Sequence, residues 1–544
     1  MPSSARASVV SHTNTLGMQS MCNQVGYKVR NITHYGQPTI DITLNGSEGQ
    51  RSNWVTSYST MDTIEGTVNV TATHDTRFED IDIAFVGSSQ VFVDRLTTSP
   101  TMTGRTEANH RFLVLRQPID ESDFPTPRVF EAGRSYKFPF TFTVPSQLLP
   151  RSCPHKVSSD HVRECHLMLP PSLGDPDLAG FGGTLLDDLA PEMSKIGYAI
   201  KVRIAHQRGT EGVSVLAEKS KKVRIKPEFV EQPPLNIDGN DEYRPKQDKT
   251  IRKGLFKGKL GTLCARTTQP KPLVIPGART TDNKPITTMA KVVLRFDPSE
   301  ESHEPPRLGS MATKLKVTTW FASAPRQSLP SRQCLGFDVT QGAYSENVTL
   351  SSLCIASAQW EKHGARENPV IQDSLVRRDS GISDCSATSI DVDAAFAAGI
   401  LPASKDYKNG TFYTAQVLVP ISLPGHKNFI PTFHTCLVSR TYSLGMQFAA
   451  QGGSGMHLKV PIQICADGSD SGIENARARS VEETQLQEAA DMWTPRSVAP
   501  PSFSDIDSGN ATRNNSVSAI RDELPPDYAA FAPPSRRYRT SVGA

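Results

Sequence analysis

One short stretch, CPHKVSSDHVRECH, gathers five side chains of the types that bind soft metal ions: Cys153, His155, His161, Cys165 and His166. Thiolates and imidazoles are the usual ligands of tetrahedral zinc sites. The spacing matches neither a zinc finger nor a zinc knuckle, and the stretch lies between two predicted strands. Packing of small side chains is therefore the preferred interpretation, and we expect no metal; zinc binding is the alternative.

The sequence contains none of the common catalytic motifs. It has no phosphate-binding Walker loop, no GxSxG nucleophile elbow, no HExxH zinc motif and no GxGxxG following a strand. We therefore expect a protein that binds other molecules rather than an enzyme, and we expect no cofactor.

The last predicted strand of the first half of the chain, KSKKVRIKP, carries a row of basic residues. Alternation places Val223 and Ile225 on the inner face and Lys222, Arg224 and Lys226 on the outer face. Such a row is a candidate contact for an acidic segment of a cargo protein, for phosphorylated residues or for anionic lipid. The alternative is an edge strand whose lysines only prevent pairing with other strands.

Two serines follow arginines in segments that lack the strand pattern, Ser380 in VRRDSGIS and Ser480 in RARS. These patterns suit basophilic kinases, and a phosphate would add up to about two negative charges and strong acceptor oxygens. We treat both as candidate phosphosites and a phosphoserine-binding protein as a candidate partner. The alternative is that such short patterns arise by chance.

Near its end the chain carries Leu524, Pro525 and Pro526, followed by one residue and Tyr528. Consecutive prolines favour the polyproline II conformation, which loses little entropy on binding. WW domains recognise this PPxY pattern with an aromatic groove for the prolines and a pocket for the tyrosine. The pattern therefore predicts a WW-domain partner; the alternative is a chance match in a chain with 40 prolines.

The surrounding tail contains arginine but no lysine from residue 466 to residue 544. A ubiquitin ligase that docked on this tail would have to modify a lysine elsewhere in the chain or on a bound cargo protein. Lys362, Lys405 and Lys408 are candidate acceptors, and compositional drift is the alternative explanation of the missing lysines.

The segments that must position these residues show mostly two-residue periodicity. In EGTVNVTATHD, Val68 and Val70 face one way, and YKFPFTFTVP and MHLKVPIQI continue the pattern. Alternation over short runs is typical of half-buried antiparallel strands. With 40 prolines and 37 glycines in 544 residues, the sequence predicts an all-β fold with many turns.

Changes in composition divide the chain into predicted segments. They are a disordered N-terminus at 1–20, a β domain at 21–226, a linker at 227–249, a second β domain at 250–465 with a flexible insertion at 362–409, and a disordered tail at 466–544.

Several stretches occur in an order that carries a resemblance: AGRSYKFPFTFTVPSQLLPRSC, VRECHLMLPPSLGD, LDDLAPEMSKIGYAIKVRI and FIPTFHTCLVSRTYSL. Over roughly residues 20–465, the chain resembles fungal arrestin-like proteins of the α-arrestin class. The resemblance implies two arrestin-like immunoglobulin-type β-sandwich domains followed by a disordered C-terminal tail. It also implies an adaptor that binds plasma-membrane transporters or receptors and recruits a WW-domain HECT-type ubiquitin ligase through the PPxY motif, promoting cargo ubiquitination and endocytosis.

Charge and hydropathy argue against two further classes of interaction, nucleic-acid binding and insertion into a membrane. A net charge of +3 argues against binding of nucleic acid by bulk charge. The N-terminus lacks the apolar core of a signal peptide, and no apolar run approaches the length of a membrane span. We expect a cytoplasmic protein that is recruited peripherally to the plasma membrane or endosomes. The alternative function is a ligase-independent arrestin-like scaffold in vesicle sorting or signalling.

Overall fold

The computed structural model describes residues 37–45, 57–94, 104–175, 178, 186–207, 213–233, 243–254, 258–278, 285–336, 338–365, 400–408, 410–451 and 455–472. Strands dominate these residues and helices are few, which confirms the predicted all-β class. The chain divides into two compact units, Met1–Glu483 and Thr484–Ala544, and every described residue belongs to the first unit.

The described part of the first β region comprises strands β1 to β10 and one α-helix. The strands are β1 (Thr39–Leu44), β2 (Ser57–Tyr58), β3 (Thr63–Thr71), β4 (Thr76–Arg77), β5 (Asp80–Val93), β6 (Thr106–Arg116), β7 (Val129–Phe130), β8 (Ser135–Thr143), β9 (Ser194–Gln207) and β10 (Val213–Ile225). Helix α1 spans Asp160–Leu167, and short 3₁₀ turns span Glu121–Asp123 and Pro150–Ser152. The sheets run β1-β3-β8, β2-β10-β9-β5-β6 and β4-β7.

Alternating burial explains why these segments form strands. Val68 of β3 lies opposite Ile42 of β1 and Phe138 of β8, and all three side chains are buried. They share one hydrophobic cluster with Ile83 of β5 and Ile200 of β9, so the two larger sheets enclose a common core. Each large apolar side chain removed from water contributes about 1.5–3 kcal/mol to the stability of this core.

The second β region comprises strands β11 to β22. They are β11 (Lys246–Arg252), β12 (Lys259–Thr267), β13 (Leu273–Ile275), β14 (Thr287–Pro298), β15 (Leu308–Ala322), β16 (Gln341–Cys354), β17 (Glu361–His363), β18 (Phe412–Ser422), β19 (Phe433–His434), β20 (Val438–Ala450), β21 (Met456–Ile462) and β22 (Ile464–Ala466), with a short helix α2 at Arg332–Leu335. One sheet runs β11-β12-β14-β18-β17, a second runs β16-β15-β20-β19 with β21 on β20, and β13 pairs with β22. A second hydrophobic cluster takes residues from both larger sheets.

Strand β14 departs from one-sided alternation because both of its faces are covered. Leu294 and Phe296 face the second cluster, but Arg295 and Asp297 are buried as well. Residues 400–408 cover this other face: the Arg295 guanidinium donates to the carbonyl oxygen of Leu401 at 2.6 Å. The described ends of the segment predicted as a flexible insertion, at 362–365 and 400–408, thus include part of β17 and this cover.

The two β regions pack against each other. Phe321, Ile430 and Phe433 of the second region lie in the hydrophobic cluster of the first. In the opposite direction, Leu189 joins the second cluster. The buried guanidinium of Arg440 donates to the carbonyl oxygen of Leu189 at 3.3 Å, which fixes this loop against β20.

The described parts of the predicted linker and tail are hydrogen-bonded to the β regions. Phe229, inside the predicted linker, exchanges backbone hydrogen bonds of 2.9 and 3.0 Å with Ala466, and β11 begins at Lys246. The hydroxyl groups of Ser469 and Ser471, in the first residues of the predicted tail, donate to the carboxylate of Asp62. The chain therefore returns to the first β region after its last described strand.

Candidate functional site

The basic row predicted from the sequence lies on one face of β10 and the residue after it. Val223 and Ile225 are buried in the first cluster, and Lys222, Arg224 and Lys226 lie on the opposite face, as predicted. The three cations have different surroundings, however. The Lys222 ammonium lies 3.0 Å from a carboxylate oxygen of Asp175, so its charge is compensated within the fold.

Asp175 forms a second ion pair in addition to the one with Lys222, and both pairs fix the position of its carboxylate. Its side chain is fully buried, and its other carboxylate oxygen lies 2.9 Å from the ammonium of Lys195 on β9. A buried carboxylate is costly unless it is paired, and two lysines meet that requirement. Lys222 is therefore part of the framework of the sheet rather than a residue available for an external anion.

Arg224 and Lys226 lack such an ion pair. Among the described residues, no carboxylate lies within 4.0 Å of either charged group. Burial lowers the pKa of Arg224, and the charge of Asp188 opposes this effect. Burial, and to a smaller extent Arg224, also lowers the pKa of Lys226. Both shifts have the direction expected of cations that are partly removed from water and that have no ion-pair partner among the described residues.

Arg224 and Lys226 line a narrow cleft between the two β regions. The opposite wall comes from the second region and includes Ile275, Phe429 and Asp467. The cleft volume is about 30 Å³, which is small beside the roughly 300–1,000 Å³ of a typical small-molecule pocket. An anionic segment would therefore lie across the mouth of the cleft and insert at most the tip of a side chain.

A second group of polar side chains lies elsewhere along the same junction. Cys153, His155 and His166 of the first region meet Cys436 of the second, and their ligand atoms all lie within 4.8 Å of one another. We call these four residues the Cys–His cluster. His166 projects from α1, whereas Cys436 lies between β19 and β20.

Hydrogen bonds orient the cluster. The sulfur of Cys153 lies 3.3 Å from Nε2 of His155 and 3.7 Å from Nδ1 of His166. Nδ1 of His155 lies 3.1 Å from the carbonyl oxygen of Lys156. Because a carbonyl oxygen can only accept, Nδ1 carries the proton, which leaves the lone pair of Nε2 directed at the sulfur of Cys153.

Burial controls the protonation of the cluster. It lowers the pKa of His166 to about 4, with further contributions from His155, Arg326 and Arg163, so this imidazole is neutral at pH 7. Burial, together with Cys153, raises the pKa of the Cys436 thiol to about 12. Both His166 and Cys436 are therefore uncharged at pH 7.

The structure divides the five metal-binding candidates of the sequence. His161 and Cys165 lie outside the Cys–His cluster and contact each other, with 3.5 Å between Nε2 and the sulfur. Cys436 was missed, because 283 residues (436 − 153) separate it from Cys153 and no local spacing connects them. The cysteines with described side chains are free thiols, and all of these except Cys354 are buried.

The remaining sequence candidates lie outside the described residues. They are the candidate phosphosites Ser380 and Ser480 and the PPxY residues Leu524, Pro525, Pro526 and Tyr528. The candidate ubiquitin acceptors Lys362, Lys405 and Lys408 are described, and all three are exposed.

No protein-family model and no curated protein matches this sequence. The arrestin-like resemblance therefore remains an expectation from the quoted stretches. Within the described part of the chain, the helices are too short or too polar to span a lipid bilayer.

Proposed function

We infer that the chain is an adaptor that connects an anionic segment of a membrane protein to a WW-domain ubiquitin ligase. The observation that carries this inference is the sequence Leu524-Pro525-Pro526-Asp527-Tyr528, which meets the full requirement of a WW domain. The two β regions would be arrestin-like sandwich domains that bind transporter or receptor cargo, and the ligase would be of the HECT type.

The cleft between the β regions supports the cargo side of this function. Arg224 and Lys226 are two neighbouring cations for which the described residues supply no ion pair, in contrast to Lys222. An acidic or phosphorylated segment would supply the missing counter-charge, and it would do so in partly desolvated surroundings where charge pairs are stronger than in water.

The distribution of lysines supports the ligase side. A ligase bound near Tyr528 finds no acceptor in residues 466–544, so it must modify the cargo or an exposed lysine of the β regions such as Lys405 or Lys408. Tethering raises the effective concentration of the acceptor near the ligase, and no chemistry in this chain is required.

The test is a binding experiment with the full chain and purified WW domains of HECT ligases. We expect Tyr528→Ala to abolish binding, because the tyrosine pocket would be left unfilled. Pro501→Ala is the matched control: it alters the similar sequence PPSF at 500–503, which has phenylalanine in place of tyrosine. Equal WW binding by wild-type and Tyr528→Ala proteins would refute the ligase-recruiting function.

The second candidate function is a ligase-independent scaffold in vesicle sorting or signalling. The scaffold would bind its cargo through the same cleft as the adaptor, but its tail would recruit no ligase. Deletion of residues 484–544, which contain the PPxY motif, would then leave cargo turnover unchanged, whereas the adaptor function predicts slower turnover.

A further inference from the structure

We propose that the Cys–His cluster is a structural zinc site that links the two β regions. Its ligands would be the sulfurs of Cys153 and Cys436, Nε2 of His155 and Nδ1 of His166. This site is independent of the adaptor function, because neither the cleft nor the tail contributes a ligand.

The geometry suits a tetrahedral ion. Zinc–sulfur bonds of about 2.3 Å and zinc–nitrogen bonds of about 2.0–2.1 Å place neighbouring ligand atoms about 3.4–3.8 Å apart. In the cluster, the sulfur of Cys153 lies 3.3 Å from Nε2 of His155 and 3.7 Å from Nδ1 of His166, and all four ligand atoms lie within 4.8 Å. The pairs farthest apart would have to approach by about 1 Å to complete the tetrahedron.

The surroundings orient the ligands as zinc sites require. The carbonyl oxygen of Lys156 accepts from Nδ1 of His155 and so fixes the tautomer in which Nε2 can bind a metal. Ligating histidines in zinc proteins are held by the same kind of second hydrogen bond. On the cysteine side, the guanidinium of Arg163 donates to the backbone carbonyl oxygen of Cys153 at 3.1 Å, which holds this residue against α1.

The chemistry of the ligands selects the ion. Two sulfurs and two imidazole nitrogens suit zinc and are poor ligands for magnesium or calcium, which prefer oxygen. Two thiolates also balance the charge of Zn²⁺, so the bound ion would add no net charge beside the buried guanidinium of Arg326, which influences His166. With four protein ligands, the site would be closed, as structural zinc sites are.

A disulfide between Cys153 and Cys436 is the competing explanation. It would use two of the four groups and would give no role to the orientation of His155 towards the sulfur of Cys153.

A cavity of about 240 Å³ lined by His155 and Cys436 gives an ion a route to the cluster. We therefore favour zinc, which would hold β19 and β20 of the second region against α1 of the first.

The test begins with the metal content of the full chain. Tag-free protein from zinc-supplemented cells is analysed by elemental mass spectrometry, and we expect about one zinc ion per chain. Replacement of the zinc by cobalt should give the absorption of a tetrahedral S₂N₂ site, which reports the ligand set without any mutation. Less than about 0.2 zinc per folded chain, with no uptake of added zinc, would overturn the proposal.

Variants identify the ligands. We expect Cys436→Ser to lose the zinc, and also His155→Gln, which alters a partly exposed residue and so carries less risk of misfolding. The matched control is Cys165→Ser on α1, whose sulfur contacts His161 rather than the cluster. Retention of zinc by both ligand variants, equal loss in the control, or a Cys153–Cys436 disulfide found by peptide mapping of the native protein would each contradict the proposal.

Discussion

The side chains of Arg295 and Arg224 are both withdrawn from water, and the fold treats their charges differently. In the second β region, the fully buried Arg295 donates to Asp297 at 2.7 Å and stacks over the ring of Phe412 at 4.0 Å. In the cleft, the partly buried Arg224 lies beside another cation, Lys226, and neither has an ion pair among the described residues.

The difference separates structural charges from charges that are available for a ligand. Arg295 is paired with a buried carboxylate, and its network also fixes residues 400–408, since Asp297 accepts from the backbone nitrogen of Ser404 at 2.8 Å. Arg224 and Lys226 instead lower the stability of the fold that carries them. A protein that keeps two such cations at the junction of two β regions can use them to bind an anion.

The largest predicted effect is the loss of stability when the buried ion pair of Arg295 and Asp297 is broken. Asp297→Ala would leave Arg295 buried without its carboxylate, and we expect the free energy of unfolding to fall by about 3–5 kcal/mol. Urea denaturation measures this loss. The control is Asp94→Ala, which breaks an exposed ion pair with Arg105 and should have little effect on stability. A similar, small change in both variants would show that Arg295 does not depend on its carboxylate.

The second prediction concerns the anion-binding cleft. The double variant Arg224→Ala/Lys226→Ala should bind an acidic peptide roughly tenfold more weakly, which corresponds to about 1.4 kcal/mol. Fluorescence anisotropy with a labelled hexaglutamate peptide measures the affinity. Lys219→Ala is the control, because it removes a cation of the same strand that is already paired with Asp41 at 3.0 Å. If the control weakens binding as much as the double variant, net charge rather than the cleft attracts the peptide.

The third prediction concerns the dependence of stability on pH. The pKa of Lys226 is lowered by burial, so the unfolded chain binds its proton more tightly than the folded protein. Stability should therefore rise as the pH increases from the lowered pKa of the folded state towards the ordinary lysine value of 10.5. Lys226→Met should reduce this rise. Thermal unfolding across the alkaline range measures it, and identical profiles for the two proteins would show that Lys226 is not desolvated.

The smallest effect on stability is expected for a substitution of Tyr528. Tyr528 lies in the unit Thr484–Ala544, and Tyr528→Ala should leave the unfolding of the β regions unchanged while it abolishes WW-domain binding. Differential scanning calorimetry of the full chain measures the first quantity. A clear loss of stability would indicate that Tyr528 supports the fold and is not free to bind a partner.

The sequence predicts what depends on local pattern. Alternation places Val68, Val70 and Ile225 correctly in the first core, because one buried face imposes a period of two residues on a strand. It fails for Arg295, whose face of β14 is covered by residues more than a hundred positions later in the chain. A hydrophobicity pattern cannot show such a cover.

The candidate sites also divide into those that a local sequence pattern indicates and those that depend on contacts made by the fold. The PPxY motif is local, so the sequence alone suggests its partner. The roles of Lys222 and Cys436 depend on residues that only the fold brings close, Asp175 in one case and Cys153 in the other. Of the three cations in the basic row, the sequence cannot tell that one is already paired.

The most direct test of the adaptor function is a bridging experiment. Beads that carry an acidic peptide are incubated with the full chain and a purified WW domain, and the WW domain retained on the beads is measured. We predict retention with the wild-type chain and its loss both in Tyr528→Ala and in Arg224→Ala/Lys226→Ala. Undiminished retention with either variant would contradict the account that the cleft binds the anion and the tail binds the ligase.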